Sequence, residues 1–393
     1  MTDSPRPLRV AMIGAGFMGA AHSQGWRVAP RFFDLDATPE MTLLVARDPE
    51  KTAAAAHQWG WAEHSTDWRE AIARDDIDII DIVTPGDSHA EIAIAALDAG
   101  KHVLCEKPLA NTVAEAKAMA EAAERAAKKG VFSMVGFTYR RVPAATLARD
   151  MVAAGRIGTI RQVRASYLQD WLMDENSPLS WRLQKDRAGS GALGDIGAHA
   201  VDLAQYITGV ELSSVSGTME TIVAERPLAA ASTGLSGTAA EGRGAVTVDD
   251  LALFTGRFGS KDDGFLGSFE ATRFSTGRKN ALRIEVSGSE GAISFDLERL
   301  NELEFFDASA PVTAQGFTTI LVTESEHPYI SAWWPAGHML GYEHGFSHQA
   351  RDFVQAVASA TAPTPSFADG LQVQQVLEAV AASAATNSIW TSI

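Results

Sequence analysis

The chain has 393 residues, 46% of them hydrophobic, which is enough for two or three domains with sizeable cores. Its formal charge of −16 argues against nucleic acid or an anionic membrane surface as the main partner. Cys105 is the only cysteine, so an intrachain disulfide and a multi-cysteine metal site are excluded and a reducing, cytoplasmic setting is expected, in line with an opening stretch that lacks a signal pattern and the lack of any apolar run able to span a bilayer.

Leu8 to Ile13 is a compact apolar run that reads as a buried strand and leads into GAGFMG, with glycines at Gly14, Gly16 and Gly19. Helix-compatible residues follow from Met18 to Val28, then a second predicted strand from Met41 to Val45. This context points to a dinucleotide site, because such glycines permit a tight turn and let a pyrophosphate approach N–H groups at a helix start. The tip of the second strand, where the adenosine ribose is normally held, reads Ala46-Arg47-Asp48. Asp48 on the ribose would mean NAD and Arg47 on a 2′-phosphate NADP; NAD is the reading taken.

Helical patterns at Glu50 to Gln58 and Asp67 to Ala73 lead to a predicted strand, Ile77 to Val83, that stops at Thr84-Pro85. A predicted helix from Ser88 to Asp98 precedes HVLCEKP, residues 102–108, which delivers Lys107 at a strand end because Pro108 cannot join a ladder and biases Lys107 away from helix. In open α/β sheets that edge is where ligands bind. A helix from Thr112 to Lys129 and a strand from Val131 to Phe137 complete an alternation that predicts a Rossmann-type domain over residues 1–140.

From Val142 the pattern changes to a helix ending at Ala153 and then strands at Ile160 to Leu168, Glu211 to Val223, Val246 to Arg257, Gly267 to Arg273, Leu282 to Val286 and Ala292 to Phe295. Residues 141–393 therefore read as an α+β domain with a large, mainly antiparallel open sheet. The Ala, Gly and Ser-rich stretch from Ala224 to Gly244 reads as an irregular loop, and helical patterns at Tyr342 to Ala358 and Leu371 to Ala385 close the chain.

Within Gly189 to Gly209, Leu193, Ile196, Ala200, Leu203 and Ile207 recur at helical spacing and define a buried face, with Asp195, His199 and Asp202 on a neighbouring stripe. The acid and imidazole fit either an ordinary surface pair or an acid/base site; nothing is spaced to complete a metal set, and no metal is expected. Trp171, Trp181 and Arg182, with Tyr167 and Asp170, can wall a ligand ring or belong to a core. Arg140, Arg141, Arg182, Lys185 and Arg187 either read an anionic substituent or pair with the abundant acids.

Together these stretches resemble the Gfo/Idh/MocA oxidoreductases, which include inositol and many sugar dehydrogenases. The resemblance is carried by GAGFMG, by Thr84-Pro85 and the run from His89 to Ala110, by Tyr139-Arg140-Arg141 and by DIGAH at Asp195 to His199. YLQDW, with SPLSWR from Ser177 to Arg182, is similar to the levoglucosan dehydrogenase branch and to a branch that uses NAD transiently to cleave glycosides. The resemblance implies NAD-dependent oxidation of a ring secondary hydroxyl, at C3, of a pyranose or pyranoside. Lys107 would bond the reacting hydroxyl, His199 would be the acid/base and Asp195 would orient the group and bind a neighbouring hydroxyl. The chemistry agrees: as hydride leaves the carbinol its proton needs an acceptor near neutral pH, and an ammonium stabilises the developing alkoxide.

The implied cofactor set is Gly14, Gly16, Phe17, Met18, Gly19, Arg47, Asp48, Thr84, Pro85, His89, Glu106 and Lys107. The implied substrate set is Lys107, Tyr139, Arg140, Trp171, Trp181, Arg182, Asp195 and His199, in a homodimer or homotetramer. The glycosidase branch implies an alternative: redox-neutral hydrolysis of an anionic or N-acetylated glycoside, such as a sulfoquinovoside. The chain departs from the family pattern at Gly86, where many relatives carry an asparagine after Thr-Pro.

Overall fold

The computed structural model describes residues 7–233 and 236–393; residues 1–6, part of the opening stretch read for a signal, and 234–235, within the Ala224 to Gly244 reading, lie outside the described residues. Two compact units form, one up to Thr138 together with Tyr342–Leu371, the other Tyr139–Gly341 with Gln372–Ile393.

In the first unit β1 (Leu8–Ile13), α1 (Phe17–Phe32), β2 (Pro39–Val45), α2 (Pro49–Trp59), β3 (Glu63–Ser65), α3 (Trp68–Ala73), β4 (Ile79–Ile82), α4 (His89–Asp98), β5 (His102–Cys105), α5 (Val113–Ala127) and β6 (Ser133–Val135) alternate. The sheet is parallel throughout, in the order β3-β2-β1-β4-β5-β6. Chain order reverses between β1 and β4, so the carboxyl ends of these two strands form the switch point of the sheet. The strands are continuous apolar runs because consecutive residues, Val10 to Ile13 and Ile79, Ile80 and Ile82, are buried on both faces. Asp81 interrupts that run while fully buried. Helices begin where the sequence supplies caps: Asp48 for α2, Asp67 for α3 and a Thr112–Glu115 capping box for α5.

The second unit contains α6 (Pro143–Ala153), β7 (Ile160–Leu168), the single turn α7 (Lys185–Ala188), α8 (Ala198–Thr208), β8 (Leu212–Glu220), β9 (Glu225–Thr233), β10 (Ser236–Ala245), β11 (Leu251–Phe258), β12 (Phe265–Thr272), β13 (Ala281–Gly288), β14 (Gly291–Asp296), β15 (Glu302–Asp307), β16 (Thr318–Leu321) and β17 (Thr391–Ser392). Nine strands form one sheet in the order β16-β15-β14-β13-β7-β12-β11-β8-β17, antiparallel except for the β7–β12 pair. α8 packs on β7, β12 and β13, and α6 on β14 and β15. β11 shows the resulting alternation, with Ala252, Phe254 and Phe258 buried and Leu253 exposed.

Three expectations are corrected. The stretch expected as an irregular loop is the two-stranded antiparallel ribbon β9–β10. Apart from one parallel bridge, Leu179 to Leu228, its described pairing is internal, so it has no sheet core to impose an apolar alternation, and its register slips at Thr238/Ala239 and between Ala239 and Arg243. The helix expected through Gly189 to Gly209 begins as a π-helical turn, Leu193–Gly197, and continues as α8, whose His199 and Asp202 are buried with the apolar positions. Finally, the division expected at 140/141 puts the segment after Tyr342 in the second domain, whereas α9 (His344–Ala358) belongs to the first unit and adds Ala350, Phe353 and Val354 to the core of Val10, Met12, Trp26, Leu44 and Leu104. The chain returns, and contiguous reading does not reveal a return. The last helix is α10 (Phe367–Ala385).

Among the described residues no helix is long and apolar enough to cross a membrane, and no group of three His, Cys, Asp or Glu side chains could hold a metal ion.

Candidate active site

In the first unit the glycine turn is shaped by close contacts. Gly14 has φ +122°, its N–H donates to the Val45 carbonyl (2.8 Å), and a Cβ there would lie 2.7 Å from the Val83 carbonyl oxygen. A Cβ at Gly19 would lie 2.6 Å from the Gly14 carbonyl oxygen, so α1 starts hard against the turn. At Gly16 an added Cβ would meet nothing within 4 Å. α1 has no side-chain cap and no acidic residue in its first turn, which leaves the N–H groups of Phe17 and Met18 without an intrahelical acceptor. An uncapped helix start beside an open backbone fits a pyrophosphate, whose charge the helix dipole favours.

Asp48 at the tip of β2 serves two partners. One carboxylate oxygen accepts the Lys51 N–H (3.1 Å) to cap α2 and the other faces the Lys51 ammonium (3.3 Å), and the first of these contacts holds its carboxyl below the usual range. Its side chain remains about half exposed, as is the neighbourhood of Arg47, so a ribose can reach the tip.

At the ends of β4 and β5 the side chains of two residues expected at the cofactor, His89 and Glu106, are bonded within the protein. His89 is buried, with Nε2 2.9 Å from the Thr84 carbonyl and Nδ1 3.1 and 3.3 Å from those of Pro108 and Leu109. It braces the loop after β4 to the loop after β5. Glu106 is likewise turned inward: Oε1 accepts from His22 Nε2 (3.0 Å) and Oε2 from the Lys107 N–H (3.1 Å). His22 Nδ1 faces both oxygens of Asp81 (3.0 and 2.9 Å), and Trp26 Nε1 donates to Asp81 Oδ2 (2.7 Å). Sequence reading missed this network, although one signal was available: an aspartate inside a buried parallel strand needs a partner. Lys107 is partly exposed where the chain leaves the sheet, and Thr84 and Pro85 are partly exposed alongside. At Gly86 the Asn111 carboxamide oxygen lies 2.5 Å from where a Cβ would stand, so the space of the family's asparagine is entered by another.

In the second unit His199 sits in the first turn of α8 between two tyrosines, its ring centroid 4.4 Å from that of Tyr139 and 5.9 Å from that of Tyr167. Asn280 Oδ1 can only accept, so the Tyr167 hydroxyl donates to it (2.6 Å) and the Tyr139 hydroxyl donates to Tyr167 (2.8 Å). Gln169 Nε2 also donates to Asn280 Oδ1 (2.8 Å), and Trp171 Nε1 to Gln169 Oε1 (2.9 Å). One chain of hydrogen bonds thus runs from Trp171 to the two tyrosines, whose rings pack against the imidazole.

Asp195 is about one-quarter exposed and lies 3.6 Å from Nη1 of Arg273, a fully buried arginine at the end of β12. Arg273 also donates to the Asp249 carbonyl (3.1 Å) and stands over the Trp171 ring at 5.5 Å, with the Arg182 carbonyl 3.5 Å from Nη1. Three of the expected residues, Trp171, Arg182 and Asp195, are thus gathered round a cation that sequence reading passed over as a strand end. Arg182 stands over the Trp181 ring at 4.5 Å. Arg140 is a correction: its Nε (3.1 and 3.0 Å) and Nη2 (2.6 Å) bind the Asp202 carboxylate, both side chains buried. Its charge is paired in the core, and Asp202 is correspondingly lost from the expected polar stripe.

A dinucleotide unit joined to a large open antiparallel sheet is the architecture of a nicotinamide-linked oxidoreductase. Residues 8–137 match the oxidoreductase family with an NAD-binding Rossmann fold and residues 146–294 the Gfo/Idh/MocA C-terminal domain, so the chain belongs to the Gfo/Idh/MocA family of NAD-dependent oxidoreductases. It is 44% identical over 391 residues, 98% of either chain, to a levoglucosan dehydrogenase of Pseudarthrobacter phenanthrenivorans. It is similar to the crystal structure of an oxidoreductase domain protein from Kribbella flavida (59% identity, TM-score 0.93, 98% of this chain and 99% of that one). It is also similar to a levoglucosan dehydrogenase in complex with NADH and levoglucosan (42% identity, TM-score 0.91, 99% and 100%).

Proposed function

We propose that this protein oxidises a ring secondary hydroxyl, at C3, of an uncharged pyranose or anhydropyranose of the levoglucosan kind, with NAD as hydride acceptor. The observation that carries the reading is the full-length likeness to levoglucosan dehydrogenase. The commitment of Arg140 to Asp202 supports an uncharged substrate over an anionic one.

When bound, NAD supplies the acceptor for the carbinol hydride. Lys107 donates a hydrogen bond to the reacting oxygen and stabilises the alkoxide as it forms. His199 accepts the hydroxyl proton, its ring plane set by Tyr139 and Tyr167. Asp195 accepts a hydrogen bond from the neighbouring hydroxyl. Trp171 offers an apolar face to the ring. The cofactor contacts proposed are the backbone at Gly14, Gly16, Phe17, Met18 and Gly19, Asp48 at the ribose, and the loop Thr84-Pro85. The protein is proposed to work in the cytoplasm as a homodimer or homotetramer, to be read by light scattering.

The test is a panel of neutral and anionic pyranosides incubated with NAD, following absorbance and product together. NADH should accumulate in proportion to a neutral sugar consumed. Lys107→Ala and His199→Ala should each lower kcat by about 10²–10⁴-fold. Release of an aglycone without NADH would replace this reading by redox-neutral glycoside cleavage; the relatives named above with a stated activity are dehydrogenases, none a glycosidase.

A further inference from the structure

We propose that His22, held as an imidazolium between Asp81 and Glu106, is a positioning residue that fixes the backbone of Lys107 and ties it to the helix carrying the glycine turn. The proposal rests on the reading of Lys107 as the group that meets the substrate hydroxyl.

Both ring nitrogens of His22 face carboxylates, Nδ1 at 2.9 and 3.0 Å from Asp81 and Nε2 at 3.0 Å from Glu106. Ionised carboxylates only accept, so two such bonds require two ring N–H groups and hence the charged ring. Each carboxylate accepts from a further donor, Trp26 Nε1 on Asp81 (2.7 Å) and the Lys107 N–H on Glu106 (3.1 Å). The groups facing the ring from each packed element are Asp81 from β4, Glu106 after β5 and, from α9, the uncharged Phe346 ring at 5.4 Å. Burial by itself would depress the imidazole; the charge and hydrogen bond of Asp81, then those of Glu106, outweigh it and lift His22 from 6.5 to about 10.

A buried ion cluster is a poor device for stability alone, since apolar residues of equal volume serve as well. What apolar residues could not supply is the acceptor at the far end. The chain Trp26, Asp81, His22 and Glu106 terminates on the Lys107 amide, and the site has been cleared for it: a Cβ at Gly136 would lie 2.7 Å from Glu106 Oε1. With His22 and Trp26 on α1 and Glu106 beside Lys107, the network sets the lysine relative to the turn that receives the nucleotide.

The test uses the full-length protein loaded with NAD. Nitrogen-15 spectra of the histidine rings should show both His22 nitrogens protonated from about pH 6 to about pH 9, where an ordinary histidine titrates near 6.5. A neutral His22 ring at neutral pH overturns the proposal. His22→Gln and Glu106→Gln should each lower kcat about 10- to 100-fold, with sugar KM and NAD affinity within about threefold, the loss expected of a reacting group displaced by under an ångström. Unchanged kcat with a lowered melting temperature in either variant would make the network merely structural and also overturn the proposal. If the parent oxidises no sugar, the functional reading fails, and the spectra still decide the charge on His22.

Discussion

Replacing Gly16 by alanine separates what the glycine turn does for the fold from what it does for a nucleotide. Residue 16 has φ −86° and ψ −160°, which alanine adopts without strain, and the added methyl meets no atom within 4 Å. Stability should stay within about 0.5 kcal/mol of the parent, since the lower entropy of the unfolded alanine chain works in its favour. The methyl nevertheless stands on the open side where a pyrophosphate would approach the N–H groups of the helix start. Displacing the anion from one charge-assisted bond costs about 1.5–3 kcal/mol, or roughly 10- to 150-fold in NAD affinity. NADH fluorescence titration beside a thermal melt reads both quantities. Gly19→Ala is the contrast: its Cβ would lie 2.6 Å from a backbone carbonyl oxygen that no rotamer change can move, so stability should fall as well, by about 1–3 kcal/mol. Unaltered NAD affinity in Gly16→Ala, or a melting temperature reduced as far as in Gly19→Ala, would refute the placement of the pyrophosphate.

Asp202→Asn should destabilise by about 3–5 kcal/mol in urea, because it strips the carboxylate from a buried guanidinium, while Arg140→Met with Asp202→Leu should recover most of that and leave sugar KM within about threefold. Arg273→Met should raise sugar KM about tenfold or more by releasing Asp195, with NAD affinity unchanged by titration. His22 titrates at about 10 in the fold against 6.5 in the unfolded chain, so its stabilisation is complete below about pH 6.5, falls as pH rises and is gone above about 10. The stability difference between the parent and His22→Gln should therefore shrink by about 1.4 kcal/mol per pH unit across that window, measured by denaturation at fixed ionic strength; a difference that grows with pH would refute the charge assigned to the ring.

The parallel sheet was legible because strands buried on both faces must be unbroken apolar runs and because glycine and proline punctuate their ends; Leu8 to Ile13 was predicted and found without change. Ile160 to Leu168 was equally plain, its alternation imposed by helices on one face of the sheet. The ribbon β9–β10 was not, since small residues paired without a core beneath them carry no period. Site residues divide in the same way. Lys107 and the glycine turn are local, fixed by neighbours in sequence. Arg140 and Asp202 meet across 62 positions, and the YRR motif alone gives no hint that its first arginine is already spoken for. Arg273 read as the last residue of a strand because what gives it a role, Asp195, Asp249 and Trp171, comes from other segments.

Asp195 shows most clearly how placement can depend on distant chain. The buried Asp249 side chain accepts the N–H groups of Gly191 (2.6 Å) and Leu193 (2.7 Å), and its carboxyl, pushed up by burial, is held back by those two bonds, Leu193 first. Residue 191 must be glycine there, for a Cβ would fall 1.7 Å from the Asp249 carbonyl oxygen. The same carbonyl takes the Ala192 N–H (3.0 Å) and one arm of Arg273 (3.1 Å), whose other arm faces Asp195. A π-helical turn is rare and persists where surrounding contacts hold it. Here the holding groups come from the loop before β11 and the end of β12, so the sheet sets the direction of Asp195 and α8 merely continues from it. Changes at Asp249 or Arg273 should consequently act on sugar binding from within the sheet framework, in advance of any effect on the imidazole.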